Sequence, residues 1–294
     1  MLSKLKLVTV AFLFCLASLH ANAEGPGTAL SFNPDVGRIG EATPVSDSST
    51  FRVCADKDNM PFSNEKQQGF ENKIAELIAG DLGRKLEYSF GYDRFGYIRT
   101  TLNAHLCDVI IGTGSGNDMM LTSRPYYRSD YVFVYKKDSG LNITDWDSPD
   151  LRKARIGTVD FAPPTRPLLD KGLMGNVVGY HMMHDPSHPP SEMIDDLIKG
   201  KIDVAIIWGP IGGYFAKQEA PDQMNIVPCP EYGQINAHGK EGWNISVGVR
   251  KKDKDFLATI QEVLDRRKDD IDNILDQNGI PHMPVVPKAG LVSK

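Results

Sequence analysis

The chain has 294 residues, of which 41% are hydrophobic, and its formal net charge at pH 7 is -5. This length allows two domains of ordinary size, and the apolar content excludes global disorder. The acidic balance argues against a nucleic-acid partner, because such partners select basic protein faces.

Residues 1–23 have the pattern of an export signal. Two lysines precede an apolar run over 7–19, which is too short for a comfortable membrane span, and a small-x-small motif ends at Ala23. We therefore predict cleavage after Ala23 and an exported, periplasmic product without membrane insertion; an uncleaved anchor is the alternative. Residues 24–50 are rich in Gly, Pro and Ser and predict an extended N-terminal segment.

Strands and helices alternate in the next part of the chain. The hydrophobic pattern predicts strands over 51–55, 85–90 and 108–111, with helices over 70–82 and 97–104 between them. This alternation predicts a parallel α/β layer.

A second α/β unit follows. A continuous apolar strand over 131–135 leads into a polar stretch at 136–140, which we predict to be a crossover. Further strands are predicted over 154–159, 176–182 and 204–208.

The C-terminal part returns to the first unit, with a strand over 244–250 and a helical stretch over 256–277. The predicted fold class is α/β with two hinged lobes and a central cleft where the strands end. Lobe 1 comprises 51–137 plus 240–294, lobe 2 comprises 138–230, and 231–239 is the return crossover.

Three cysteines remain after the predicted cleavage. Cys54 lies in the first strand and Cys107 at the head of the next parallel strand, and neighbouring strands lie about 4.8 Å apart. An exported protein meets an oxidising compartment, so we predict a Cys54–Cys107 disulfide with Cys229 as a thiol. Three buried thiols are the alternative.

No motif in the sequence points to catalysis. The glycine-rich run at 112–116 follows a strand, but the third glycine of a dinucleotide fingerprint would fall on Asn117. The run instead predicts a backbone turn close to a ligand. No nucleophile signature is present either, so we predict neither an enzyme nor a cofactor.

Carboxylates crowd the loop after the first strand, namely Asp56, Asp58, Glu65 and Glu71. They could form an acid/base pair, but carboxylates at helix starts more often balance the helix dipole.

A histidine-rich segment, His181-Met-Met-His184-Asp185-Pro-Ser-His188, is compatible with an incidental metal site. Its flanking prolines favour a solvated loop, so we predict no metal.

Aromatic residues follow the predicted strands of both lobes. Phe62 and Phe95 do so in lobe 1, Tyr126 and Tyr127 precede the crossing strand, and Phe161 and Trp208 follow strands in lobe 2. Together they predict a largely apolar cleft. Arg124 is the one obvious cation at its rim, with an ion pair to Asp130 as the alternative role.

The span from Phe51 to about Pro281 resembles the type II periplasmic solute-binding proteins of the polar amino-acid class. The matching pieces include FRVCADKDNMPF, GFENKIAELIAGDLG, LCDVIIGTGS, ARIGTV and NISVGVRKKDKDF. More narrowly, RVCAD, PFSN, LTSRPYYRSDYVFVY and WGPIGGYFAKQ resemble the MxaJ/XoxJ family, the J proteins of methanol-oxidation gene clusters.

Two departures from the amino-acid binders support the narrower resemblance. Asn117 stands where those binders carry an Arg for the ligand carboxylate, and Trp208 stands where they carry an Asp for the ammonium. A buried ion without a partner costs several kcal/mol, so a free amino acid would find this cleft unfavourable.

The resemblance implies a periplasmic accessory factor that binds a pyrroloquinoline-quinone (PQQ)-dependent methanol dehydrogenase and assists its maturation or activation. A receptor that delivers a small organic solute to an ABC importer is the alternative. We expect a monomer whose cleft contacts the partner or a small-molecule ligand. The candidate contact residues are Asp56, Phe62, Phe95, Gly112, Thr113, Gly114, Asn117, Arg124, Phe161 and Trp208.

Overall fold

The structure is a computed structural model that describes residues 49–93, 95–181, 188–233 and 241–285. All of them belong to one compact unit, Pro44–Lys294. The predicted export signal and nearly all of the predicted N-terminal segment lie outside the described residues. No helix in the described ranges is long and apolar enough to cross a membrane.

Twelve strands make up the sheets of the described chain. In chain order they are β1 (Thr50–Asp56), β2 (Asp58–Asn59), β3 (Ser63–Asn64), β4 (Lys85–Gly91), β5 (Val109–Gly114), β6 (Leu121–Thr122), β7 (Tyr127–Lys136), β8 (Ile156–Val159), β9 (Val177–Tyr180), β10 (Val204–Trp208), β11 (Met224–Pro228) and β12 (Gly242–Val249). β2 and β3 form a separate two-stranded ribbon, and the other ten share one sheet.

The part of the chain that the structure describes contains seven α-helices. They are α1 (Phe70–Asp81), α2 (Tyr97–Thr100), α3 (Thr165–Asp170), α4 (Glu192–Ile198), α5 (Gly209–Glu219), α6 (Lys254–Arg266) and α7 (Lys268–Gln277). The predicted helix over 97–104 is therefore shorter than expected and ends at Thr100. The C-terminal helical stretch divides into α6 and α7 at Arg267.

The sheet order is β4-β1-β5-β12-β7-β10-β8-β9, with β11 on β7 and β6 on β12. Each half contains three parallel strands: β1 pairs with β4 and β5 in the first half, and β8 pairs with β9 and β10 in the second. β12 and β7 join the halves with antiparallel pairing. The α/β class with two series of parallel strands is confirmed.

The chain crosses from the first half of the sheet to the second within β7. Tyr127 to Asp130 pair with β12, whereas Tyr131 to Val134 pair with β10. The sequence predicted this crossover later, in the polar stretch at 136–140 that follows the apolar strand. The apolar residues of that strand instead pack in the second half, because both of its neighbours there, β10 and β11, are strands of that half. The lobe boundaries themselves stay a prediction.

Helix α1 anchors the first half. Phe70, Ile74 and Ile78 recur every four residues and are fully buried, as expected for one apolar face of a helix. Gly83 has a positive φ of 64° just after the helix, and the Arg84 amide donates to the Ala79 carbonyl. This is the usual glycine-terminated helix end, since only glycine adopts that conformation without strain.

The predicted disulfide is present between Cys54 and Cys107, whose Cα atoms lie 5.4 Å apart. β1 and β5 are parallel neighbours, with Cys54 opposite Ile110. Cys229 is a buried thiol.

Substituting Gly69 by alanine should destabilise the fold by about 1–3 kcal/mol, the usual cost of overpacking. A Cβ on Gly69 would lie 2.0 Å from the Phe62 carbonyl oxygen, so the loop before α1 must shift. Gly80 of the same helix is the matched control, because a Cβ there meets nothing within 4 Å. Gly80→Ala should stabilise by about 0.5–1 kcal/mol. Urea unfolding of both variants measures the difference, and equal effects would contradict this account of Gly69.

Candidate functional site

A pocket of about 260 Å³ lies at the carboxyl ends of the parallel strands of the first half. β1 ends at Asp56, Asp93 follows β4, and β5 ends at Gly114, so the parallel pairing brings these residues to one edge of the sheet. The full lining is Cys54, Ala55, Asp56, Asn59, Phe62, Ser63, Glu71, Asp93, Tyr97, Ile110, Gly112, Thr113, Gly114, Tyr127, Trp208 and Ile245.

Asp56 is a buried carboxylate that holds two loops together. Its Oδ1 accepts the Asp58 amide at 2.9 Å and its Oδ2 accepts the Asp93 amide at 2.6 Å. The Asp56 carbonyl also accepts the Ser63 hydroxyl at 2.8 Å. Asp56 therefore fixes the pocket wall, and these bonds give no support to the acid/base alternative.

Glu71 lies in the first turn of α1 and packs against Gly112 of β5. A Cβ on Gly112 would fall 1.9 Å from Glu71 Oε1, so only glycine leaves room for this carboxyl group. The close contact is the reason for a glycine at this point of the strand.

Burial raises the pKa of the Glu71 carboxyl to about 8, and the nearby charge of Asp93 contributes in the same direction. The side chain retains some contact with solvent through the pocket but is otherwise surrounded by protein. Near neutral pH, Glu71 is therefore largely protonated.

Aromatic rings form much of the remaining wall. Phe62, Tyr97 and Tyr127 come from the first half, and Trp208 comes from the end of β10 in the second half. The Trp208 ring packs edge-on against Tyr131 and Trp243, with centroids 5.5 and 5.4 Å away. The pocket thus draws on both halves at the point where β7 joins them.

The structure brings together six of the ten predicted contact residues. Asp56, Phe62, Gly112, Thr113, Gly114 and Trp208 line the pocket, whereas Phe95, Asn117, Arg124 and Phe161 do not.

The lining is more acidic than the apolar cleft that we predicted. Asp56, Glu71 and Asp93 contribute carboxyl groups, and within the described lining there is no Lys, Arg or His. The prediction relied on six aromatic residues near strand ends, and three of them, Phe95, Tyr126 and Phe161, do not line the pocket.

Phe95 and Phe161 are fully or largely exposed, at 106% and 82%. Phe95 follows β4, and Phe161 follows β8, which runs parallel to β10. Each ring therefore lies in a loop at the same edge of its half as the pocket. Phe161 also has a positive φ of 58°, which is rare for an aromatic residue.

Arg124 does not pair with Asp130. It forms an ion pair with Asp265 of α6, and its amide donates to Gln261. Asp130 instead pairs with Arg128 at 3.0 Å. The reason is strand geometry: Arg128 is two residues from Asp130 and shares its face of β7, whereas Arg124 precedes the strand.

Asn117 forms a local turn. Its Oδ1 accepts the Met119 amide at 2.9 Å and its Nδ2 donates to Thr113 Oγ1 at 3.3 Å. Asn117 does not line the pocket itself, but its hydrogen-bond partner Thr113 does.

In the histidine-rich segment, His181 lies 3.2 Å from Asp160 and His188 lies 2.9 Å from Glu192. His184 and Asp185 fall outside the described residues. The described ranges contain no group of three or more side chains that could hold a metal ion.

Sequence reasoning missed the role of Glu71 and did not name Asp93 or Tyr97. Glu71 was interpreted as a helix-start carboxylate, because its burial depends on a strand far along the chain. A glycine at the end of a buried strand was the available signal for a close neighbour.

The chain belongs to the bacterial extracellular solute-binding proteins, family 3, whose family model matches residues 51–279. The type II periplasmic binding fold predicted from the sequence is thereby confirmed.

Within this family the chain is similar to the J proteins. It is 30% identical to protein MoxJ of Methylorubrum extorquens over 94% of this chain and 93% of that protein. The crystal structure of the periplasmic binding protein XoxJ from Methylobacterium extorquens AM1 is 35% identical, with a TM-score of 0.66 over 80% of this chain and 100% of that one. The crystal structure of MxaJ from Methlophaga aminisulfidivorans MPT has a TM-score of 0.70 at 28% identity, over 80% of this chain and 100% of that one. The resemblance to the MxaJ/XoxJ family that the sequence indicated is confirmed.

Proposed function

We propose that this protein is a periplasmic, non-enzymatic accessory factor that binds a PQQ-dependent methanol dehydrogenase and assists its maturation or activation. The observation that carries the proposal is the near full-length similarity to MoxJ. The structural similarity to XoxJ and MxaJ, which covers the full length of those two chains and 80% of this one, supports the proposal.

The pocket supports a partner other than a free zwitterion. Trp208 lines the pocket, and it stands at the position where the amino-acid binders carry an Asp for the ammonium. The described lining also contains no basic side chain to receive an α-carboxylate.

The exposed rings of Phe95 and Phe161 supply the apolar part of the proposed contact. Large, exposed aromatic side chains in the loops that follow β4 and β8 are typical of a protein–protein contact, in which aromatic anchors carry much of the binding energy.

Replacing both rings, as Phe95→Ser with Phe161→Ser, should weaken binding to the dehydrogenase by tenfold or more, since a buried anchor contributes more than about 1 kcal/mol. Leu106→Ser is the control: Leu106 is 55% exposed but precedes β5, at the opposite edge of the sheet. Surface plasmon resonance with purified apo and holo dehydrogenase measures the affinities. Absence of binding by the wild-type protein to both forms would overturn the proposal.

The alternative function is a receptor for a small organic solute, which membership of a solute-binding family favours. A thermal-shift screen separates the two. Strong stabilisation by one small metabolite, without dehydrogenase binding, would favour the receptor.

A further inference from the structure

Another cavity, of about 320 Å³, lies in the second half of the sheet, away from the candidate site. It is found where β7 ends and where β8 and β10 begin, whereas Trp208 of the candidate site lies at the far end of β10. A strand of five residues, about 15 Å long, therefore separates the two. The full lining is Lys136, Ser139, Leu141, Lys153, Ala154, Leu197, Gly200, Ile202 and Asp203.

The floor of this cavity is apolar. Leu197 and Ile202 belong to one buried hydrophobic cluster, whereas Ala154 belongs to another, against which Leu141 packs. Successive buried residues of β10 alternate between these two clusters, so the clusters lie on opposite faces of the sheet. The cavity lies where the clusters meet beyond the strand ends. A hydrocarbon chain that entered it would leave water and contact apolar side chains on both sides.

Two ammonium groups stand above this floor. Lys136 Nζ donates to the Ile198 carbonyl at the end of α4, at 2.9 Å, and this bond holds the ammonium in place. It leaves two of the three N–H groups of Lys136 without a partner in the described structure. Lys153 is exposed, and its side chain has neither a hydrogen bond nor an ion pair within the described ranges. Both lysines can therefore donate to a ligand.

The described lining contains one carboxylate, Asp203, and its charge is already balanced. Arg155 donates to both Asp203 oxygens, from Nε at 2.9 Å and from a terminal nitrogen at 2.7 Å, and the Arg155 amide donates at 2.8 Å. Lys136 and Lys153 consequently have no counter-charge within the lining. Positive charge in a partly enclosed, low-dielectric space favours an anionic occupant, although the chain as a whole carries a net charge of -5.

The backbone around the cavity offers little to a peptide. The amides of Ser139, Ala154, Gly200 and Asp203 all donate to carbonyl oxygens within the protein, and the Leu141 amide donates to the Ser139 hydroxyl. A peptide in the cavity would bury carbonyl groups that these amides cannot satisfy, which is costly. The lining therefore favours a molecule whose polar part is a carboxylate and whose remainder is hydrocarbon.

We propose that this cavity binds a small aliphatic monocarboxylate, with the hydrocarbon chain on the floor of Leu141, Leu197 and Ile202 and the carboxylate paired with Lys136 and Lys153. The volume of about 320 Å³ lies at the lower end of the range for ligand sites, which suits a chain of about four to eight carbons. The proposal goes beyond the accessory role and does not depend on the dehydrogenase.

An NMR titration of the ¹⁵N-labelled mature protein at pH 7 tests the proposal, because it measures both the affinity and the location of the ligand. The probe is hexanoate. Hexanamide keeps the hydrocarbon chain without the charge, and acetate keeps the charge without the chain. Hexanoate should bind with a Kd on the order of 1 mM or tighter and shift the amide signals of Ser139, Gly200 and Asp203. Hexanamide and acetate should each bind at least tenfold more weakly.

Two variants assign the affinity to the cavity. Lys153→Gln should weaken hexanoate several-fold, and the exposure of Lys153 makes a folding defect improbable as the cause. Leu141→Ser should weaken it through loss of the apolar floor. Lys137→Gln is the matched control, because Lys137 is exposed next to Lys136 but does not line this cavity. This variant removes the same charge and should leave the affinity within twofold of the wild type.

Equal affinity for hexanamide, no binding of hexanoate at about 10 mM, or an unchanged affinity in Lys153→Gln would each overturn the inference. Signal shifts confined to the residues around Trp208 would overturn it as well, since they would place the ligand in the candidate site. Nα-acetyl-L-leucine carries its carboxylate on a peptide unit. Tighter binding of this probe than of hexanoate would overturn the choice of a small aliphatic acid over a polypeptide terminus.

Discussion

Removing the Cys54–Cys107 disulfide should cost about 4 kcal/mol of unfolding free energy, from the chain entropy of a loop with a sequence separation of 53 residues. Alanine is the suitable replacement, because both cysteines lie in a buried apolar cluster with Leu102, Ile110 and Met120. Urea unfolding of the Cys54→Ala/Cys107→Ala variant measures the loss.

The wild-type protein in strong reductant should show a similar loss. Cys229→Ala is the control, because Cys229 is a buried thiol outside the bridge, and this variant should retain its sensitivity to reductant. A double variant that loses less than about 1 kcal/mol, a value ordinary for any point mutation, would contradict the predicted contribution.

The disulfide also affects the candidate site. Cys54 lines the pocket beside Ile110, and the bridge ties β1 to the residue that leads into β5. The reduced protein should therefore hold Asp56 and Gly112 less firmly in register.

Local patterns were sufficient to predict most of the elements. The four-residue spacing of Phe70, Ile74 and Ile78 predicted α1, and the continuous apolar run after Tyr131 predicted part of β7. These features depend on residues near one another in the chain, where hydrophobic periodicity is informative.

The extent of β7 was not predictable in the same way. Tyr127 to Asp130 include polar residues that the strand pattern did not favour, yet they pair with β12. That pairing depends on a strand far along the chain, and tertiary context commonly overrides local strand propensity.

The candidate site was predictable only at the level of strand ends. Asp56, Gly112 and Trp208 lie at or near the carboxyl ends of buried strands, and this edge of the sheet brought them together as expected. Phe95 and Phe161 follow strands too, but their rings point to solvent. Which way a loop side chain turns depends on the loop's own path, and the sequence pattern does not carry that information.

The stability of the wild-type protein should fall as the pH rises from about 4.5 to about 8, relative to the Glu71→Gln variant. The pKa of Glu71 rises from 4.5 to about 8 on folding, chiefly through burial. Within this range the folded state binds a proton that the unfolded state has released, so raising the pH favours unfolding. Below about pH 4.5 both states are protonated and the difference vanishes.

The expected difference above pH 8 is a few kcal/mol. A pKa that differs by one between the folded and unfolded states corresponds to about 1.4 kcal/mol of stability. Solvent contact through the pocket and the dipole of α1, which favours the ionised carboxylate, both reduce the effect. The titratable groups that surround Glu71 are Asp93, Tyr88, Tyr97, Tyr126 and Tyr127. The tyrosines have raised pKa values and stay neutral in this range.

Asp108 changes the stability with pH in the opposite direction to Glu71, and it does so at lower pH. Burial alone would raise its pKa, but hydrogen bonds from Arg52 and Arg250 outweigh burial and lower it. The stability that Asp108 contributes is therefore present above its unfolded pKa and is lost as the pH falls through its folded pKa. The wild type and Glu71→Gln share this contribution of Asp108, so it cancels when the two proteins are compared.

Urea unfolding of the wild type, Glu71→Gln and the control Glu76→Gln at several pH values between 4 and 9 measures the effect. As the pH rises, the unfolding free energy of Glu71→Gln should become larger than that of the other two proteins. The glutamine amide stays uncharged, so its burial carries no cost of ionisation. Parallel curves for all three proteins would show that Glu71 ionises normally in the folded state.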